Sequence, residues 1–205
     1  MYLGWPKAAS SWLANEFKKN NAVFLDSKKE NHLWYTDAKK ALDCFDSTSG
    51  DIVVDFSTNN WSMDLHVAKT VAELFDYFIL MHRDPAEIVS SYHLMNQNNT
   101  WEQWQSTCLY NKICNSGDIL ERWANIVDEK LIVCEYKNLT NNNQKFLDKL
   151  FFQVDLKTKS SAGSIRLNQS KQPHLKVNNQ DLIELIQHQE NKFYKIIKEK
   201  SIEIF

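Results

Sequence analysis

The 205-residue chain is short of glycine, with four, and of proline, with three; it has four cysteines, little net charge and no long apolar run. Each shortage excludes something. Nothing approaches the roughly 18 apolar residues of a membrane-crossing helix, and no charged-then-apolar leader opens the chain, so a soluble, cytoplasmic protein that makes no membrane contact is expected. A formal net charge of -2 offers no basic field for nucleic acid, and any anion site has to be a local cluster. Cys44, Cys108, Cys114 and Cys134 show neither Cys-x-x-Cys spacing nor a histidine partnership, which favours reduced thiols over a structural metal. There is no internal repeat and no heptad run.

What is present is a 43% hydrophobic chain long enough for one substantial core, read as a single domain over residues 1–205. Short apolar runs alternate with helical stretches, which predicts an α/β fold: a central parallel sheet flanked by helices. The strands are expected at Tyr2 to Trp5, Ala22 to Leu25, Ile52 to Asp55, Tyr77 to His82 and Leu131 to Glu135. Helices are expected at Ser11 to Lys19, Thr36 to Phe45, Met63 to Phe75, Ala86 to Met95, Ile119 to Val127 and Gln144 to Phe152, with a C-terminal pair. The Ser-, Lys- and Asn-rich stretch from Lys157 to Gln169 reads as a mobile loop.

The first strand runs into Pro6-Lys7-Ala8-Ala9-Ser10-Ser11-Trp12 and then a helix. The first N–H groups of a helix lack internal partners and point at the preceding turn, where the helix dipole adds positive character. Lys7 adds a full charge, so the stretch reads as a P-loop-like phosphate cradle. An ordinary turn with Ser10 or Ser11 as N-cap fits these residues equally well. A nucleoside-triphosphate loop does not, because it requires two glycines and a lysine directly before the hydroxyl.

A second strand–turn–helix follows at Arg83-Asp84-Pro85-Ala86-Glu87-Ile88-Val89-Ser90-Ser91-Tyr92, with Pro85 suited to a first helical turn. Arg83 pairs with Asp84 or Glu87 in the blander reading. In the sharper one its fork of donors matches phosphate oxygens, and Ser91, eight residues on, adds a neutral donor.

The order Pro-Lys-x-x-Ser-Ser-Trp, followed about 75 residues later by Arg with a Ser eight positions on, resembles sulfotransferases that use 3′-phosphoadenosine 5′-phosphosulfate (PAPS), and in motif order the heparan sulfate and carbohydrate enzymes most of all. That resemblance implies a cofactor site of Lys7, Ala8, Ala9, Ser10, Ser11 and Trp12 for the 5′-phosphosulfate and adenine side, with Arg83 and Ser91 on the 3′-phosphate. Ala9 stands where the family has glycine. Asp51 to Trp61 resembles the family's Glu-Lys-Ser/Thr-Pro-x-Tyr element, which makes Asp55 the general base, one methylene short; its alternative is a cap for a helix starting near Ser62. Lys29, Glu30 and His32 resemble an acceptor-side Lys-Glu segment. Tyr136 matches an aromatic near the adenine, and Lys171 in Ser170-Lys171-Gln172-Pro173-His174 matches the lysine of a loop that closes over the cofactor.

The function these matches imply is transfer of a sulfuryl group from PAPS to a hydroxyl or amine of a carbohydrate or small metabolite, leaving 3′-phosphoadenosine 5′-phosphate (PAP). In that chemistry Asp55 takes the acceptor proton and Lys7 stabilises the departing phosphate, and the modest charge of the migrating group demands no metal. Two other readings stand beside it. One is a non-catalytic module that binds nucleotide or sulfated glycan; the other, a small-molecule kinase, lacks its glycines. His66 is read as structural with a minor claim to be the base, and His82 as a strand-end residue beside the cofactor. Acceptor and oligomeric state are not legible.

Overall fold

The computed structural model describes residues 1–5, 7–88, 91, 115–157, 162 and 180–205. Four named strands are present: β1 (Val23–Phe24), β2 (Val53–Val54), β3 (Phe78–His82) and β4 (Leu131–Glu135). Helices α1 (Ser10–Lys19), α2 (Leu33–Thr36), α3 (Ala38–Ser47), α4 (Leu65–Leu74), α5 (Ser116–Val127), α6 (Tyr136–Asn141), α7 (Asn143–Gln153) and α8 (Gln180–Glu199) surround them.

The strands form two parallel ladders, β1 with β2 and β3 with β4. Residues 1–3 stitch the ladders together. Tyr2 donates its N–H to Asp55 O at 2.9 Å, while Leu3 N reaches Ile79 O at 2.7 Å and Ile79 N reaches Met1 O at 2.8 Å. At the far edge Ile204 bridges Val133 in parallel, and Glu135 N donates to Phe205 O at 2.8 Å. The order across the sheet is therefore β1, β2, residues 1–3, β3, β4, residues 204–205. All five residues of β3 are buried, as a strand with both faces covered requires.

Local chemistry explains several boundaries. Asp37 caps α3 by accepting from Lys40 N at 3.0 Å, and Asn142 caps α7 by accepting from Lys145 N at 3.0 Å. In α1 the buried residues Leu13, Ala14 and Phe17 recur at helical spacing and face the core. That core is aromatic: Phe78 stacks on Trp123 at 5.7 Å, Trp5 meets Trp61 edge-on at 4.7 Å, and Phe17 meets Phe151 at 5.0 Å. Burying each such ring contributes about 1.5–3 kcal/mol.

Two expectations are corrected. The strand expected from Tyr2 to Trp5 is a single bridge at Tyr2, because the chain turns early: Trp5 O accepts from Ala8 N at 3.3 Å, and the Tyr2 ring folds back over Gly4, where a Cβ would collide with it. The expected C-terminal pair is one continuous helix, α8, which carries Ile186, Gln189, Phe193, Ile196 and Ile197 inward at spacings of three or four residues without a break. Of the loop expected from Lys157 to Gln169, only Lys157 and Ala162 are described, and Lys171 with its segment 170–174 lies outside the described residues.

Candidate active site

The strand ends that follow residues 1–3, β1, β2, β3 and β4 all lie on the carboxyl edge of one parallel sheet, where open α/β sheets place their ligands. Each contributes side chains, and hydrogen bonds tie them into one cluster.

The loop before α1 is held in an unusual shape. Lys7 (φ 66°) and Ala9 (φ 61°, ψ 20°) are both left-handed, and Ala8 between them is fully buried. The Tyr2 hydroxyl braces the turn by donating to Ala8 O at 3.1 Å. Ala9 occupies the N-cap position, so neither serine caps the helix; both lie inside its first turn. Among the described residues no backbone carbonyl accepts from the N–H groups of Ala9, Ser10 or Ser11. Those three donors stand at the start of α1, two to four residues after Lys7.

Arg83 joins this loop to the other half of the sheet. Its Nη1 donates to Lys7 O at 2.5 Å, Nε donates to Glu87 at 3.0 Å, and the guanidinium lies 4.4 Å from the centre of the Tyr136 ring. The surface pair with Glu87 is thus real and coexists with the inward contacts. Burial, then the nearby Arg83 charge, lowers the Lys7 pKa below the ordinary lysine range, with Glu30 pulling weakly the other way. The two cations share the site with two carboxylates, Glu87 paired with Arg83 and Glu30 near Lys7. Burial holds the Tyr136 hydroxyl above its usual pKa, with Arg83 opposing.

Lys29, Glu30 and His32 belong to the same cluster. Lys29 Nζ donates to Ser10 Oγ at 3.3 Å and pairs with Glu30, and Glu30 lies 3.9 Å from His32 Nε2. His32 N in turn donates to Ser57 Oγ at 3.1 Å. Ser57 N donates to Asp55 Oδ1 at 2.7 Å, and Asn60 Nδ2 donates to the same oxygen at 3.1 Å. Asp55 is 0% exposed, and its Oδ2 has no hydrogen-bond partner among the described residues. Its bonds to Ser57 and Asn60 hold the turn after β2, and α4 begins only at Leu65, with no side-chain cap.

Trp12 is half-buried and packs against the core. Ser91 is helical and half-buried, while residues 89, 90 and 92–114 lie outside the described residues. His66 is exposed on α4, and His82 is buried and turned toward α8. Sequence reasoning missed Tyr2 and Asn60, which brace the loop and the carboxylate: the Tyr2 hydroxyl reaches Ala8 O, Asn60 reaches Asp55 Oδ1, and Asn60 also donates to Tyr2 O, 58 residues away. A cavity of about 870 Å³ lined by Met1, Tyr2, Asp55, Phe75 and Asp155 reaches the Asp55 turn but does not include Lys7 or Arg83.

No family model matches the chain, and no curated protein is similar to it. Solved structures are. A sulfotransferase from Alicyclobacillus acidocaldarius is similar with a TM-score of 0.70 and 13% identity, over 98% of this chain and 95% of that one. The sulfotransferase domain from the curacin biosynthetic pathway is similar with a TM-score of 0.54 and 12% identity, over 100% and 97%. The fold is therefore that of sulfotransferases.

Proposed function

We propose that the protein is a PAPS-dependent sulfotransferase that transfers a sulfuryl group to a hydroxyl or amine on a carbohydrate or small metabolite. One observation carries the reading: the Lys7 loop, which leads into the start of α1, is bonded directly to Arg83, and Arg83 is stacked on Tyr136. Three segments far apart in sequence thereby build one anion site next to an aromatic face.

Bound PAPS supplies the sulfuryl group and the 5′-phosphate on which charge develops. Lys7 and the N–H groups of Ala9, Ser10 and Ser11 hold that phosphate and neutralise its growing charge, aided by the two serine hydroxyls. Arg83 and Ser91 would hold the 3′-phosphate, Tyr136 and Trp12 would serve the adenine side, and Lys171, outside the described residues, would be a further phosphate ligand. Lys29, Glu30 and His32 face the acceptor. Asp55 removes the acceptor proton through its unbonded Oδ2. Glu30 is a second reading for the base, favoured because its side chain is 40% exposed beside His32 whereas Asp55 has no exposed surface. The migrating group carries little charge, so neither role calls for a metal.

Calorimetric titration with PAP tests the proposal. Micromolar binding that is lost in both Lys7→Ala and Arg83→Ala is expected. No binding by the wild-type protein would leave only the fold, and PAP binding without turnover of any acceptor would favour a non-catalytic nucleotide- or glycan-binding module.

A further inference from the structure

His82 is a 3% exposed, titratable side chain that the anion site does not use. Its ring stacks on Phe193 of α8, with centroids 4.1 Å apart, and its Nε2 lies 3.0 Å from Glu190 Oε1. A carboxylate oxygen only accepts, so the hydrogen resides on Nε2. Across the β3–β4 ladder the register partner of His82 is Glu135, whose Oε1 accepts from the Tyr194 hydroxyl at 3.0 Å, again on α8. One helix thus grips both residues of the final rung. The next residue on each strand is Arg83 or Tyr136, the stacked pair of the anion site. The helix is itself fixed: Gln189 Oε1 accepts from Gly117 N at 3.0 Å, and Lys192 pairs with Asp118 at 2.5 Å and Glu121 at 2.7 Å on α5.

We infer that His82 is a positioning residue, held by Glu190 and Phe193, which fixes where β3 releases Arg83 and so makes affinity for a nucleotide 3′-phosphate depend on the C-terminal helix. Successive strand residues face opposite sides of the sheet, so the grip on His82 from one side sets the backbone from which Arg83 leaves on the other. Outer residues that orient metal ligands typically change affinity about 10- to 100-fold when removed, and the lower end of that range is expected for His82. The inference rests on the reading of Arg83 as a phosphate ligand.

The test compares PAP with adenosine 5′-monophosphate, which lacks the 3′-phosphate. His82→Phe keeps the ring stack and removes the Nε2 hydrogen; Glu190→Ala breaks the same bond from the partly exposed side and covers the case in which His82→Phe does not fold. Each is expected to weaken PAP about 10-fold and leave adenosine 5′-monophosphate unchanged, with His82→Gln restoring most of the loss. Equal weakening of both nucleotides, or none, overturns the inference. If the wild-type protein binds neither nucleotide, the sulfotransferase reading falls and the inference is decided without ligand by hydrogen exchange at the Arg83 Nε–H: faster exchange in the variants upholds the positioning, and unchanged exchange overturns it.

Discussion

Replacing Ala9 by glycine should leave stability almost unchanged, although most alanine-to-glycine changes in a helical segment are costly. Ala9 sits at φ 61°, ψ 20°, where an L-residue with a Cβ is strained by about 1–2 kcal/mol. Glycine removes that strain. It also adds about 0.4–1 kcal/mol of chain freedom to the unfolded state and forfeits part of a methyl group worth at most about 0.8 kcal/mol, since Ala9 packs against the core only partly buried. The terms nearly cancel, and Ala9→Gly is expected within about 0.5 kcal/mol of the parent. Ala72, partly buried in the last turn of α4, is the control: Ala72→Gly has no strain to relieve and should cost up to about 1 kcal/mol, or roughly 2–4 °C in Tm for a chain of this size. Denaturant titration of both variants with m-values compared settles the matter. A loss at position 9 as large as that at position 72 would show that Ala9 is not held left-handed, and would remove the argument for a glycine-like loop.

Three further outcomes are expected. If Asp55 is the base, Asp55→Asn lowers turnover about 10²- to 10⁴-fold with Glu30→Gln nearly intact, and the reverse pattern in a single-turnover assay moves the role to Glu30. Because the Lys7 pKa is lowered and only its charged form pairs with phosphate, PAP affinity should fall as pH rises through that lowered value, before the ordinary lysine value of about 10.4; a Lys7→Arg variant should hold its affinity across the same window, and parallel loss in both would discount Lys7. Gly117→Ala places a Cβ 2.8 Å from Gln189 O and 2.8 Å from the Lys192 Cβ, so thermal unfolding should reveal a loss of about 1–3 kcal/mol from forcing α5 and α8 apart.

How much could be read in advance varied with how local the cause was. β4 falls on Leu131–Glu135 as expected, because a run of apolar residues between Lys130 and Tyr136 carries its own ends. The start of α1 is within one residue of expectation, but its mechanism was not visible: the hydroxyls at Ser10 and Ser11 suggest caps, whereas backbone strain at Ala9 places them inside the helix. The tie between Arg83 and Lys7 O spans 76 residues, and its stack on Tyr136 brings in a third segment; sequence supplied the participants and only tertiary structure the geometry. Asp55 shows the limit most clearly. Its position after a buried strand was legible, but its complete burial depends on Tyr2, Ser57 and Asn60 closing around the turn.

The placement of residues 1–3 between β2 and β3 bears on the order of assembly. Tyr2 and Leu3 find their partners at Asp55 and Ile79, so residues synthesised before those strands sit in the middle of the sheet and wait for them. Contacts of such long range are slow to form, because loop closure precedes any gain from pairing. The loop that follows is braced locally by the Tyr2 hydroxyl and by Trp5 O, and its tie to the other half of the sheet forms only when β3 delivers Arg83 to Lys7 O. The joined Lys7–Arg83–Tyr136 cluster is in this sense a late product of folding, and a peptide spanning the loop and α1 would carry the loop residues without the cluster.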